Sequence, residues 1–275
     1  MTQESTGTPS TTEPADKSSA WVEALFQGMA VLRVFEGETN GLTLTEIAQK
    51  LGWSRTKPYR YVYTLEQMGY LTRQEGTKRY RPTSLTMTLG YSYLSGLSLL
   101  ELAQPVLDRL KNALGASVHM GILEQGEVVY IASARVSVVP AVNIHVGSRV
   151  PPYVTSLGRA LLSEMDDEQV DALIGKLSLP ASTPRSITEP AAFRQMLKKS
   201  REQGYVFTDE EFHPGVRSIA APVHDRRGDV VAAINATSIV QKFSDDYLNE
   251  QVIPLVVAAA KEISMSMGHM PQREA

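Results

Sequence analysis

The sequence predicts an α+β chain in two parts: a small unit of three helices and a hairpin, then a larger unit in which helices separate groups of antiparallel strands. Three observations lead there. Apolar residues recur at helical spacing from Val22 to Met68, a glycine-centred turn follows at Gly76, and beyond Gly115 the period shortens to that of strands. With 275 residues the chain is long enough for two modest domains. We divide it into a tail at 1–19, a first domain at 20–82, a connecting helix at 83–98 and a second domain at 99–270.

In the first domain, Val22, Leu25, Phe26, Met29 and Leu32 follow the i, i+3, i+4 pattern and predict a helix buried on that face. A second, short helix begins where Thr43 and Glu46 have capping-box spacing and runs to about Leu51. Gly52 and Trp53 make a tight connection, and Ser54 is read as the N-cap of a third helix reaching about Met68. Val62, Leu65 and Met68 are its expected packing residues. Pro58 complicates the start, because either the helix begins a residue or two later or its first turn is distorted. Tyr70–Gln74 and Arg79–Pro82 then read as a hairpin around Gly76.

Two helices joined by a short glycine-containing turn, followed by a basic hairpin, make a winged helix-turn-helix. Charge agrees. The whole chain carries a formal −3, yet between Asn40 and Pro82 eight cations face three anions. The third helix carries Ser54, Arg55, Thr56, Lys57, Tyr59, Arg60 and Tyr63, long cations and hydroxyls suited to base edges and phosphates. Thr45 on the second helix and Lys78 and Arg79 on the wing complete the candidate DNA contacts. For the wing, a surface turn without a partner is the weaker alternative.

Leu85, Leu89 and Tyr93 open the connecting helix, and Leu99, Leu102, Ala103, Val106, Leu110 and Leu114 resume an apolar face after Gly96. Pro105 predicts a local bend or late start there. Strands are expected at Ser117–Leu123, Val128–Ser133, Ala141–Val146, Tyr205–Thr208, Ser218–His224 and Val230–Thr237. Helices are expected at Ser156–Glu164, Glu168–Ile174, Ala191–Gln203 and about Asp245 to Met267. Strands paired by hairpins, with helices between the groups, indicate an antiparallel sheet with flanking helices.

Other chemistry is sparse. Cysteine is absent, which removes disulfides, thiolate metal sites and cysteine nucleophiles. No phosphate-binding loop, dinucleotide fingerprint, nucleophile elbow or zinc-protease motif is present. His119, His145, His213, His224 and His269 are scattered without ligand spacing and read as surface or core histidines, so neither metal nor cofactor is predicted. Met1–Ser19 lacks the basic start and apolar core of a secretory signal, and no apolar run reaches membrane-spanning length. A cytoplasmic location is the expectation.

Taken in order, several segments resemble the IclR family of bacterial regulators. They are Leu44-Thr45-Glu46-Ile47-Ala48, Tyr59-Arg60, Leu65-Glu66-Gln67-Met68-Gly69-Tyr70-Leu71 and Arg79-Tyr80-Arg81, then the stretch from Gly147 to Leu162, and Gly215 to Val223. The resemblance covers about Trp21 to Met267. Leu100–Pro105, Ile122–Ile131 and Ala233–Thr237 are more narrowly similar to regulators of the β-ketoadipate pathway, a subgroup that senses protocatechuate, 4-hydroxybenzoate or β-ketoadipate. The resemblance implies a GAF-like second domain with an effector pocket. Its effector positions fall on Val142, Ser156, Leu157, Asp209, Ser218, Asn235 and Thr237, and Arg135 and Arg149 are further candidates for holding an acid. For each of these alone, a satisfied structural hydrogen bond is an equal reading.

The expected partners are therefore an operator duplex, a small aromatic or dicarboxylic acid, and further copies of the chain as a dimer or dimer of dimers, with RNA polymerase beyond them. Two alternatives stand beside this. One is an enzyme acting on a small acid, with a DNA-localising module; the other is a structural DNA-binding protein whose second domain only dimerises.

Overall fold

The computed structural model describes residues 19–94, 98–136, 144–174 and 179–269. The chain forms two compact units, divided between Gly96 and Leu97. In the first, α1 (Glu23–Arg33), α2 (Leu44–Lys50) and α3 (Lys57–Gln67) surround a core of Val31, Phe35, Ile47, Val62, Leu65, Leu71 and Tyr80. A three-stranded sheet completes it, in the order β1 (Leu42–Thr43), β3 (Arg79–Pro82), β2 (Leu71–Arg73). The hairpin is the predicted wing; β1 is an addition, because two residues are too few to show a period.

The capping box at α2 forms as expected. Thr43 Oγ1 accepts from the Glu46 amide at 3.3 Å, and the Thr43 amide donates to the Glu46 carboxylate at 2.7 Å. That backbone bond is the main reason the Glu46 carboxyl titrates below its ordinary value. The carboxylate also accepts from Arg79 at 2.9 Å, and Arg79 donates to the Gly41 carbonyl at 2.7 Å, so the wing is tied to the helix-turn-helix.

Three readings of this unit are corrected. The helix α3 starts later than Ser54, with Thr56 as N-cap; Pro58 sits within its first turn, where its missing N–H breaks no intrahelical bond. Met68 is 56% exposed, because α3 ends at Gln67 and Gly69 turns the chain away at φ 80°. The apolar face read on α1 is buried only in part, with Leu32 packed on the core and Phe26 half-buried. Val22, Leu25 and Met29 are exposed, whereas Gln27, Ala30 and Val31 are buried. Gln27 tolerates that place because its amide bonds both Tyr61 and Glu23. The connecting helix α4 (Leu85–Leu94) also leaves Leu85, Met87 and Leu89 exposed.

The second unit opens with α5 (Ser98–Leu114), which runs through Pro105 rather than starting after it. A six-stranded antiparallel sheet follows, in the order β6 (Arg149–Val150), β5 (Glu127–Ala134), β4 (Ser117–Glu124), β9 (Val230–Ile239), β8 (Val216–His224), β7 (Val206–Asp209). Gln125 and Gly126, both at positive φ, make the two-residue turn between β4 and β5. The strand expected at Ala141–Val146 is not formed where it is described. Residues 141–143 lie outside the described residues, and Ile144–Val146 is turn and coil bonded to Ser148, with strand pairing beginning at Arg149.

Helix α6 (Ser156–Ser163) crosses the sheet, capped by Thr155, whose side chain accepts from the Gly158 amide at 3.1 Å. Helices α7 (Asp167–Ile174) and α8 (Pro190–Gln203) pack beside it through Leu162, Val170, Ile174, Phe193 and Leu197. Residues Val118 and Met120 point to the other face of β4 from Ser117 and His119 and are fully buried, so both faces are covered. The final helix is interrupted: α9 (Asp245–Tyr247) passes through a π-helical turn at Leu248–Val252 into α10 (Ile253–Ser266). Pro254 explains the break, since it cannot donate to the carbonyl one turn back.

Buried charge anchors α6. Arg159 is 2% exposed, donates to Glu211 at 2.7 Å and to the Tyr153 carbonyl at 2.8 Å, and lies over the Phe193 ring. Gly158 lets the helix start close against the chain before it, for a Cβ there would fall on the Pro152 backbone. Gly158→Ala is therefore expected to destabilise this unit by about 2 kcal/mol, as overpacking does. Chemical unfolding followed by circular dichroism checks this, and an unchanged midpoint contradicts the close approach.

Candidate effector cavity and DNA-reading surface

Strand register creates the site. Ser117 pairs with Thr237, Thr237 with Ser218, and Ser218 with Thr208, so four hydroxyl residues lie in one row across four strands. Directly beside that row, His119 pairs with Asn235. Because alternate residues share a face, both rows look toward α6, where Ser156 meets them. The Ser156 and Ser218 hydroxyl oxygens are 2.7 Å apart, and those of Ser218 and Thr237 are 2.8 Å apart. Asn235 Nδ2 donates toward Ser218 and Thr237 at 3.1 Å and toward Ser156 at 3.4 Å. Its Oδ1 faces His119 Nδ1 at 3.2 Å. All five of these residues are buried.

A cavity of about 50 Å³ opens on this cluster. Of the sequence candidates, Ser156, Ser218, Asn235, Thr237 and Arg135 line it. Three others are placed elsewhere. Leu157 is fully buried in the apolar cluster with Tyr130, Ile144 and Ala160. Asp209 is held by Arg217 at 2.7 Å and by Arg185 at 2.5 Å. Arg149 is paired with Glu124 and, at 3.5 Å, with Glu127, bracing the β4–β5 hairpin against β6. Val142 lies outside the described residues.

The sequence reading missed Ser117, His119, Tyr130, Thr155, Thr208 and the loop residues Phe212 and His213. A signal existed for two of them. Ser117 and His119 on one strand, and Asn235 and Thr237 on another, are polar residues spaced by two in otherwise apolar strands, the mark of a wetted patch on one face. The phenol of Tyr130 stood in no pattern; burial pushes its pKa above the ordinary range. Burial also pulls the His119 pKa down to about 4, assisted by the Arg135 charge and opposed by the Asn235 hydrogen bond. Near neutral pH the cluster is therefore uncharged, and Arg135 is exposed at its edge. A second concavity of about 400 Å³ is larger, but the charged residues on its lining, Glu164 and Asp229, are acidic and would repel an acid.

On the first unit, Thr45, Ser54, Arg55, Thr56, Tyr59, Arg60, Tyr63 and Lys78 are exposed. Tyr59 and Tyr63 stack at 6.2 Å on one face of α3, and the Lys57 ammonium lies 4.3 Å from the Trp53 ring centroid. Arg79 differs, since its guanidinium is already spent on Gly41 and Glu46.

A helix-turn-helix with a basic wing, joined to a domain with an enclosed polar cavity, defines a ligand-responsive class of transcriptional regulator. Comparison with known proteins gives the family. The IclR helix-turn-helix domain matches residues 24–75, and the bacterial transcriptional regulator IclR C-terminal domain matches residues 91–265. The chain belongs to the IclR family of transcriptional regulators. It is 34% identical to the Pca regulon regulatory protein of Pseudomonas putida over 88% of this chain and 83% of that one. It is 31% identical to the p-hydroxybenzoate hydroxylase transcriptional activator of Acinetobacter baylyi over 90% of this chain and 92% of that one. A transcriptional regulator structure from Rhodococcus sp. RHA1 superposes with a TM-score of 0.80 at 34% identity, covering 90% of this chain and 98% of that one. The narrower resemblance read in the sequence agrees with these relatives.

The low pKa of His119 has a consequence for stability. The unfolded histidine titrates near 6.5 and the folded one near 4, so protons favour the unfolded chain between those values. Nothing is lost above about pH 7; the loss grows as pH falls toward about 4 and is constant below. His119→Asn should therefore lose less stability than the parent between about pH 7 and pH 4.5 in parallel denaturant titrations. Equal slopes would show that His119 takes up its proton as readily in the folded chain as in the unfolded one.

Proposed function

We propose that this chain controls a catabolic operon for aromatic acids, and that a small acid held at the Asn235 cluster switches its affinity for the operator. The observation that carries this is the buried, uncharged hydrogen-bonding cluster open to a cavity within an apolar sheet, with a cation, Arg135, at its edge. Buried polar groups are otherwise costly, so a surface of this kind beside empty space favours a polar ligand. The names of the Pseudomonas and Acinetobacter relatives support the aromatic-acid class. Effector action requires unequal affinity for the two operator-binding arrangements.

The DNA-reading part of the proposal uses α3 in a major groove and the wing on neighbouring phosphates, with Arg55, Thr56, Tyr59, Arg60 and Tyr63 nearest the bases. Successive grooves on one face of a duplex lie roughly 34 Å apart, which calls for two copies of the reading unit. The exposed apolar residues of α1 and α4 fit a contact between copies, as dimers or dimers of dimers. RNA polymerase is the further partner through which bound regulator would act, and the cytoplasm is the compartment that fits. No described helix is long and apolar enough to cross a membrane.

Arg60→Ala is expected to weaken operator binding about tenfold or more with the fold intact. Lys78→Ala should lower the salt slope by about one with little change in sequence preference. Fluorescence anisotropy across a salt series measures both, and unchanged affinity in Arg60→Ala removes that residue from the interface. Leu25→Glu should shift the protein toward monomer in analytical ultracentrifugation; an unaltered mass would place the subunit contact away from α1. The effector reading is tested by thermal shift with small aromatic acids. A ligand at about 100 times its dissociation constant adds roughly 2.7 kcal/mol.

A further inference from the structure

One atom of the polar cluster has no partner within it. Asn235 turns its Nδ2 toward three hydroxyl oxygens and its Oδ1 toward His119. That orientation makes His119 Nδ1 the donor, so the proton of the neutral ring sits on Nδ1 and Nε2 carries a lone pair. The ring stands edge-on to Tyr130, 5.7 Å between centroids at 83°, and makes no second hydrogen bond among the described residues. It lines the cavity and is 7% exposed.

Such a nitrogen accepts a proton from an O–H or N–H and repels a carboxylate. Resting on the reading that an acid occupies this cavity, we propose that His119 selects the effector by accepting a hydrogen bond from a ligand hydroxyl, while the ligand carboxylate lies toward Arg135. The ligand class is thus a hydroxy acid. A dicarboxylic acid is disfavoured, because its second carboxylate would meet the lone pair or would require the ring to take up a proton that its burial opposes. Among the described residues, the ring meets Tyr130 and Asn235 and feels the Arg135 charge, and none of these is an anion that would stabilise an imidazolium.

Three probes of similar size separate the possibilities on the full-length protein: 4-hydroxybenzoate, benzoate, which lacks the hydroxyl, and terephthalate, which replaces it with a carboxylate. Calorimetry should show 4-hydroxybenzoate bound about tenfold or more tighter than either of the others. His119→Asn offers Asn235 an amide donor near the position of Nδ1 but withdraws the Nε2 acceptor, and its preference should shrink to about twofold. Nitrogen-15 spectra of the imidazoles in the parent protein, free and bound, should show a neutral ring with the proton on Nδ1. These spectra and the parent affinities decide the matter even if the variant does not fold. Equal affinity for benzoate and 4-hydroxybenzoate, an Nε2–H tautomer, an imidazolium in the complex, or an undiminished preference in His119→Asn each overturns the role of His119 while leaving a ligand in the cavity. Failure of all three acids to bind removes the aromatic-acid reading itself, and the role of His119 with it.

Discussion

The alternation of side chains along antiparallel strands, fixed by register, is the constraint on which the second unit depends. The row Ser117–Thr237–Ser218–Thr208 exists because four strands are aligned to the residue. A slip of one position on any strand would send its hydroxyl to the opposite face and bring an apolar side chain to the cavity. The neighbouring residues enforce the alignment. Val118, Ile219, Ile234 and Ala236 are fully buried on the opposite face, and exchanging them with the polar row would bury its hydroxyls among apolar side chains. Polar specificity on one side of the sheet is therefore secured by apolar packing on the other.

Helix α6 completes this arrangement from above, and two contacts determine where it lies. The missing side chain of Gly158 permits contact with Pro152, and the buried Arg159 reaches both Tyr153 and Glu211. Glu211 adjoins Phe212 and His213, which line the cavity, so one ion pair links the helix carrying Ser156 to the loop on the cavity's other side. A buried pair of this kind contributes little net energy but is costly to break on one side only, which suits it to fixing geometry.

Much of the fold was legible because local signals coincided with tertiary ones. Thr43 and Glu46 marked α2, and turn residues at Gly76, at Gln125-Gly126 and between Asp225 and Asp229 marked the hairpins and with them β4, β5, β8 and β9. The exceptions have physical causes. The α1 stripe was read correctly as apolar, but only part of it packs on the core while Val22, Leu25 and Met29 are exposed, since periodicity shows that a face is apolar and not what covers it. Ser54 was given the cap because capping residues adjoin each other at 54 and 56, and only Pro58 hinted at the later start. Within the cavity, the residues named from strands and from the start of α6 lie together. Asp209, Arg149 and Leu157 do not line it, as ion-pair partners and core neighbours distant in sequence claim them. His119 was passed over as one histidine among five, because its meaning depends on Asn235, 116 residues away.

In the first unit, Glu46 serves the Thr43 backbone, the Thr43 hydroxyl and Arg79 at once. One carboxylate thus joins the short helix, the small sheet and the wing, and none of these bonds uses the exposed side of α3. The frame and the reading surface are consequently separable. The residues of α3 proposed to read DNA, such as Tyr59, Arg60 and Tyr63, are then free to drift as a lineage acquires new operators, whereas exchange at Thr43, Glu46 or Arg79 would loosen the wing whatever DNA is being read. Divergence among related regulators should concentrate on one side of a single helix.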